Sequence, residues 1–149
     1  MIITQNIDDL HERGGSKNII HLHGEILKMR SEKNERLVAP IHDDIVIGQK
    51  APDGAQYRPD IVWFEEPVPR IELAIIEVLK ADIFVVVGTS LAVYPAAGLL
   101  NYASADTAKF IIDRKIPYSL AQENIIRIEK NATEGVKELT DILLKDYAV

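Results

Sequence analysis

Gln5, Asn6 and Asp8 place two carboxamides and a carboxylate close together, a set of donors and acceptors suited to hydrogen-bonding a carboxamide or the hydroxyls of a sugar. Asn6 and Asp8 are equally suited to capping a short helix, and the residue types alone leave both roles open. Histidine exchanges protons near neutral pH, so His23, followed by Gly24, is a candidate proton acceptor for a ligand held nearby. A lone histidine more often serves structure. His21 lies on the same face as His23 if the strand carrying both is regular, with Leu22 facing the other way. His11 and His42 have no comparable context. Farther along, Gly88, Thr89 and Ser90 form a small, hydroxyl-rich turn, and Asp113 follows an apolar run.

Strands and helices must alternate to position these residues. Ile83, Phe84, Val85, Val86 and Val87 form a continuous β-branched and aromatic run, which predicts a strand buried on both faces, as in a parallel sheet covered by helices. Gly88 ends that run, so Gly88, Thr89 and Ser90 fall at the carboxyl end of the strand, where open α/β sheets bind ligands. The same triplet also fits a plain strand-to-helix turn with an N-cap. A helix over 96–103 and a strand over 108–112 follow, the latter ending at Asp113, either a solvated turn residue or an acceptor for ribose hydroxyls. A strand over 125–128 leads to an amphipathic helix over 133–147 built on Val136, Leu139, Ile142 and Leu143.

Upstream, residues 1–8 open as a strand and run into a helix over 9–13 that Gly14 and Gly15 stop, and 18–22 reads as a short strand. Residues 25–57 read as an excursion from the main sheet, charged over 28–36, with a hairpin around Ile45 to Ile47 and a turn at Pro52, Asp53 and Gly54. Val62, Trp63 and Phe64 suit a core or a ligand-facing segment. A helix over 70–80 carries an apolar stripe of Ile71, Ala74, Ile75, Val78 and Leu79. The alternation predicts an α/β parallel-sheet domain over 1–149.

Composition narrows the function classes. With 149 residues and 47% hydrophobic content the chain can bury one core. Its 17 basic against 23 acidic residues, net charge -6, supply no basic field for nucleic acid or an anionic membrane. Cysteine is absent, which excludes disulfides and thiolate metal sites, so no metal is expected. No apolar run approaches the roughly 20 residues that cross a bilayer. No basic start followed by a long apolar segment is present, and a cytoplasmic location is the expectation.

TQNIDDLHERGG at 4–15, HLHG at 21–24, RPDIVWFEE at 58–66 and GTSLAVYPA at 88–96, in this order, resemble the sirtuin family of NAD-dependent protein deacylases. The resemblance implies a Rossmann-like fold that uses NAD and takes an acyl-lysine protein or peptide as substrate. It places Gln5, Asn6 and Asp8 around the nicotinamide and its ribose, with His23 as the general base acting through the ribose hydroxyls. Gly88, Thr89 and Ser90 would contact the cofactor's ribose and phosphates. Asp113 falls where sirtuins commonly carry Asn at the adenosine ribose, and Ala132 lies near the adenine-binding turn. Val62, Trp63, Phe64 and Val93 would line the acyl-lysine channel or pair with the peptide backbone. In the family reaction the acyl oxygen attacks the anomeric carbon as nicotinamide leaves, and the acyl group passes to ADP-ribose.

Three departures shape the expectations. The glycine-rich strand-turn-helix that opens sirtuins does not occur, so the resemblance implies an incomplete catalytic domain with NAD affinity far below that of a complete sirtuin, weak or inactive alone. The two Cys-x-x-Cys pairs of the family's zinc module are missing, and 25–57 is expected to be a small zinc-free insertion. Glu65 stands where the family's WFGE has glycine. The alternative is a non-catalytic relative that binds nucleotide or peptide or self-associates. Without the missing strand, residues 4–7 and 83–87 would border a gap, and each unpaired buried backbone group costs roughly 1–3 kcal/mol. A homo-oligomer, or completion by another chain, is therefore expected.

Overall fold

The structure, a computed structural model, describes residues 1–89, 91, 93–116 and 124–147. It divides into two compact units, Met1–Ala74 and Ile75–Val149. No helix among the described residues is long and apolar enough to cross a membrane.

The N-terminal unit begins with β1 (Ile2–Thr4), which pairs in parallel with β2 (Ile19–His21) and sets Thr4 opposite His21. One helical turn, α1 (Leu10–Arg13), connects them. The Asp8 carboxylate accepts the Leu10 N–H at 3.1 Å, a local turn that leads into α1, whose N-cap Asp9 forms no side-chain cap bond. Gly14 closes the turn and Gly15, at φ 91°, reverses the chain. β2 stops at His21, and Leu22 and His23 lie in a turn rather than in a regular strand.

β3 (Gly24–Ser31), β4 (Val38–Pro40) and β5 (Tyr57–Ile61) form an antiparallel sheet of order β4–β3–β5, with an irregular register between Glu25 and Met29. The charged stretch that gave no clear pattern in sequence therefore contains the longest strand of the unit. Lys28 and Arg30 hide its signal, and Arg30 can sit in the sheet only because Asp60 and Glu35 lie 3.4 and 3.0 Å from its guanidinium. The hairpin expected around Ile45 to Ile47 is corrected. Val46 and Ile47 are exposed and unpaired as strands, whereas the chain reverses at Pro52–Gly54, closed by a bridge between Lys50 and Gln56. Hydrogen bonds hold this part together: the buried Ser31 hydroxyl donates to Asp53 at 2.6 Å and accepts the Lys33 N–H, and Gln56 accepts the Gly48 N–H and donates to the Val46 carbonyl.

α2 (Ile71–Leu79) follows, with Ala74 and Val78 of the expected stripe buried and Leu79 exposed. In the C-terminal unit β6 (Ile83–Val87), β7 (Ala108–Asp113) and β8 (Ile125–Glu129) make a parallel sheet in that order. Period-two alternation divides the core. Val86 and Ile111 pack with Leu100 and Ile116 on one face, and Phe110, Ile112 and Ile128 pack with Leu139 of α3 (Ala132–Asp146) on the other. The result is the Rossmann-like α/β arrangement expected.

Two expectations change here. β6 is an edge strand among the described residues and, of its residues, only Val86 is buried; the strand buried on both faces is the central β7, whose Ile111 is covered by Leu100 and Ile116 and whose Phe110 and Ile112 are covered by Leu139. Residues Ala96–Tyr102 form a 3₁₀ run rather than an α-helix, with Gly98 in the middle of a segment too short to repay α-helical nucleation.

Candidate functional site

Residues 4–7 lead out of β1 with their four carbonyls turned toward residues 21–26. The Thr4 oxygen accepts the Leu22 N–H at 2.9 Å, Gln5 meets His23 Nδ1 at 3.0 Å, Asn6 meets His21 Nδ1 at 3.3 Å, and Ile7 accepts the Ile26 N–H at 2.8 Å. A carbonyl only accepts, so His23 carries its proton on Nδ1 and presents a lone pair on Nε2, the tautomer a general base requires. His23 is half-buried, and its own carbonyl accepts the Val62 N–H at 2.9 Å, which joins it to the start of the aromatic segment. Gly24, at φ 81°, makes this possible: a Cβ there would stand 2.0 Å from the Asp60 carbonyl oxygen.

Arg58 and Glu66 shape the segment between them. The guanidinium grips the Glu66 carboxylate through two bonds of 2.6 and 3.0 Å, and the same carboxylate accepts the Trp63 N–H at 2.9 Å. The Arg58 guanidinium also stands 5.9 Å from the Trp63 ring centre. Trp63 is 54% and Phe64 94% exposed, so neither is the core residue that composition allowed. A cavity of about 230 Å³ lies beside this segment, lined in part by Leu22, Gly24, Asp60, Val62 and Arg70. Among its lining charges Arg30 pairs with Asp60 and Glu35, and Arg58 with Glu66.

The Arg58 hydrogen bonds, followed by the Trp63 N–H, hold the Glu66 carboxyl below the ordinary carboxylate range. A depressed carboxylate contributes stability above its unfolded value and loses it as pH falls through the folded one. The 58–66 turn should therefore loosen only as pH falls through that depressed value, and Glu66→Gln should flatten the low-pH limb of a fluorescence titration of Trp63; an unchanged limb would refute the assignment.

Glu65 has φ 73°, a left-handed conformation that glycine adopts freely and that costs other residues roughly 1–2 kcal/mol. The glycine of the family pattern at this position thus has a backbone reason. Glu65→Gly relieves that strain but adds about 0.5–1 kcal/mol of unfolded-state entropy. A rise in melting temperature of about 2 °C is expected, and a fall would show that the Glu65 side chain is itself an anchor.

In the C-terminal unit the sequence-predicted residues gather along one edge. Gly88, Asp113 and Ala132 follow the carboxyl ends of β6, β7 and β8, the edge where parallel sheets receive ligands. Gly88, at φ 62°, donates its N–H to the Ile112 carbonyl, and a Cβ there would meet nothing within 4 Å. The Thr89 hydroxyl accepts the Leu91 N–H at 3.3 Å, with Leu91 itself left-handed at φ 53°. Asp113 accepts the Lys115 N–H at 3.0 Å through one oxygen. Ala132 opens α3 behind Asn131, whose side chain forms no cap bond. Val93 is exposed. Ser90 lies outside the described residues.

Besides the Arg58–Glu66 pair, sequence reasoning missed a second feature. Glu12 of α1 lies 2.7 Å from His21 Nε2, and Glu25 brings a donor atom within 4.8 Å of both. The Glu25 carboxylate is already paired with Lys28 at 2.8 Å and approached by Arg70 at 3.8 Å, so the group forms an ion-pair network. The only sequence signal was the identity of His21, since its partner is nine positions away across a single helical turn.

Residues 1–95 match the model of a family described as the Sir2 family. A relative named as an NAD-dependent protein deacylase in Bacteroides thetaiotaomicron is 47% identical over 149 residues, covering 96% of this chain and 64% of its own length. A solved structure described as a Sir2 homolog–NAD complex superposes with a TM-score of 0.80 at 33% identity, over 98% of this chain and 59% of that one. Another, described as Sir2 bound to acetylated peptide, gives 0.77 at 28% identity, over 94% and 62%. The chain thus spans less than two thirds of the length of each.

Proposed function

The chain belongs to the Sir2 family, and from that premise we propose that it carries part of the site of an NAD-dependent protein lysine deacylase, with an acyl-lysine protein or peptide as substrate. His23 is its general base. The observation that carries this is the Nδ1 bond to the Gln5 carbonyl, which fixes the tautomer and leaves Nε2 to take a proton. Asn6 and Gln5, with their carbonyls turned inward, and Asp8, which spends one oxygen on the Leu10 N–H, would contact the carboxamide and ribose of nicotinamide.

NAD fits the residues present. Gly88 offers a left-handed turn with open space at Cα, Asp113 an acceptor for ribose hydroxyls, and Ala132 the first turn of a helix, all at one sheet edge. When bound, NAD supplies the nicotinamide leaving group and the ribose carbon that receives the acyl oxygen. Val62, Trp63, Phe64 and Val93 would guide the acyl-lysine chain, an apolar stem that exposed aromatic rings accommodate.

Purified protein incubated with NAD and an acetyl-lysine peptide should release deacetylated peptide, weakly for the isolated chain, and His23→Ala should lower that rate by about 10²–10⁴-fold. NAD or peptide binding without turnover would instead favour a second reading, a non-catalytic binding and self-associating domain. The outer edge of β6, which pairs with no strand among the described residues, supports this reading, because an edge strand invites a further strand from a second copy or another chain. Light scattering at micromolar concentration distinguishes an assembly from a monomer.

A further inference from the structure

His21 is among the most buried polar residues of the chain, and both of its ring nitrogens face acceptors. Nδ1 lies 3.3 Å from the Asn6 carbonyl and Nε2 lies 2.7 Å from the Glu12 carboxylate. Glu12 is held below the ordinary carboxylate range, chiefly by its hydrogen bond with His21. Carboxylate and carbonyl oxygens only accept, so the ring spans both when each nitrogen carries a proton, Nε2 donating to Glu12 and Nδ1 to Asn6. The charged groups around the ring are few. Glu12 and His11 come from α1, Glu25 and Lys28 from β3, and Arg70 reaches the His21 carbonyl at 3.5 Å and Glu25 at 3.8 Å.

We propose that His21 is a positioning residue for the site, a clamp between α1 and the 5–8 loop that fixes where Asn6 and the His23 ring stand. The geometry is direct. His21 and His23 hold adjacent carbonyls, those of Asn6 and Gln5, so rotation of either peptide displaces the acceptor of the other ring. Glu12 anchors the far side of the His21 ring, and because α1 is only one turn long it has little else to fix its end. Releasing the clamp frees the Asn6 carbonyl, and the Gln5 carbonyl then ceases to enforce the tautomer of His23.

The consequence for catalysis rests on the reading of His23 as the base; the clamp itself does not, and the test separates them. Three variants of the 149-residue protein are compared by NMR without cofactor: His21→Ala, Glu12→Ala, and Glu12→Gln, which keeps an acceptor for Nε2–H. In the two alanine variants, hydrogen exchange at the Asn6 and Ile26 amides should quicken by about tenfold and the His23 ring nitrogens should change their signals. Glu12→Gln should stay close to wild type, and the amides of β6, β7 and β8 should not respond. Where turnover is measurable, the alanine variants should lower kcat with KM nearly unchanged. Unaltered His23 ring signals in both alanine variants would overturn the clamp, as would uniform loss of order throughout the N-terminal unit, which would make His21 a general structural residue. A clamp seen by NMR in a protein that shows no NAD-dependent turnover would leave the clamp standing and remove the deacylase reading.

Discussion

Gly24→Ala is expected to destabilise the N-terminal unit by about 3 kcal/mol or more, a large fraction of the roughly 5–15 kcal/mol that holds a domain together. Two effects add. An L-residue at φ 81° carries roughly 1–2 kcal/mol of backbone strain. The new Cβ would also stand 2.0 Å from the Asp60 carbonyl oxygen and 2.9 Å from the Ile61 Cα. Both neighbours are strand backbone, paired with β3 through the Gly24–Ile61 and Glu25–Asp60 register, so neither can retreat without opening the sheet. The adjoining His23 would lose its place with it, because its carbonyl is bonded to Val62 at the end of β5. Gly15→Ala is the control: φ is 91° but nothing lies within 4 Å, so only the conformational cost of about 1 kcal/mol remains. Chemical denaturation of both variants measures the difference. Equal effects would mean that β5 does not approach Gly24 as closely as described.

How far the fold could be read from the sequence depended on whether a residue's partner was near in the chain. β7 and most of the α3 stripe were legible because their apolar residues recur with the period of the element, as Phe110, Ile112 and Leu139 show, although Val136 of the expected stripe is exposed. β3 was not. Lys28 and Arg30 masked it, and the groups that neutralise Arg30, Glu35 and Asp60, are five and thirty positions away, a relation that no local pattern encodes. Ile45, Val46 and Ile47 misled in the opposite direction, since β-branched residues fit a pleated surface only where a neighbouring strand exists. His23, Asn6 and Gly88 were singled out by residue type, whereas the Arg58–Glu66 grip and the Glu12–His21 bond are tertiary and became visible only in three dimensions. The glycine usual at position 65 in the family pattern gained its physical reason in the same way, from a φ of 73°.

Gly135→Ala tests the C-terminal unit, and here sequence and structure predict opposite signs. Alanine within a helix is favoured over glycine by about 1 kcal/mol, so propensity alone predicts that α3 would gain stability. Gly135, however, is where α3 meets the sheet. A Cβ would stand 2.3 Å from Ile112 Cγ2 and 3.3 Å from Ile128 Cγ2, and Ile112 is fully buried in the central strand. Relieving the overlap means turning Ile112 off its rotamer or lifting the helix off β7 and β8, an overpacking cost of roughly 1–3 kcal/mol that exceeds the gain in propensity. The first turn of α3, which begins at Ala132, would move with it. A net loss of about 1 kcal/mol is expected by denaturation. In an Ile112→Ala background the obstructing methyl is gone, so the same substitution should become neutral or stabilising, a coupling that a double-mutant cycle reads directly. If Gly135→Ala stabilises the wild-type background instead, α3 does not sit at this distance from the sheet.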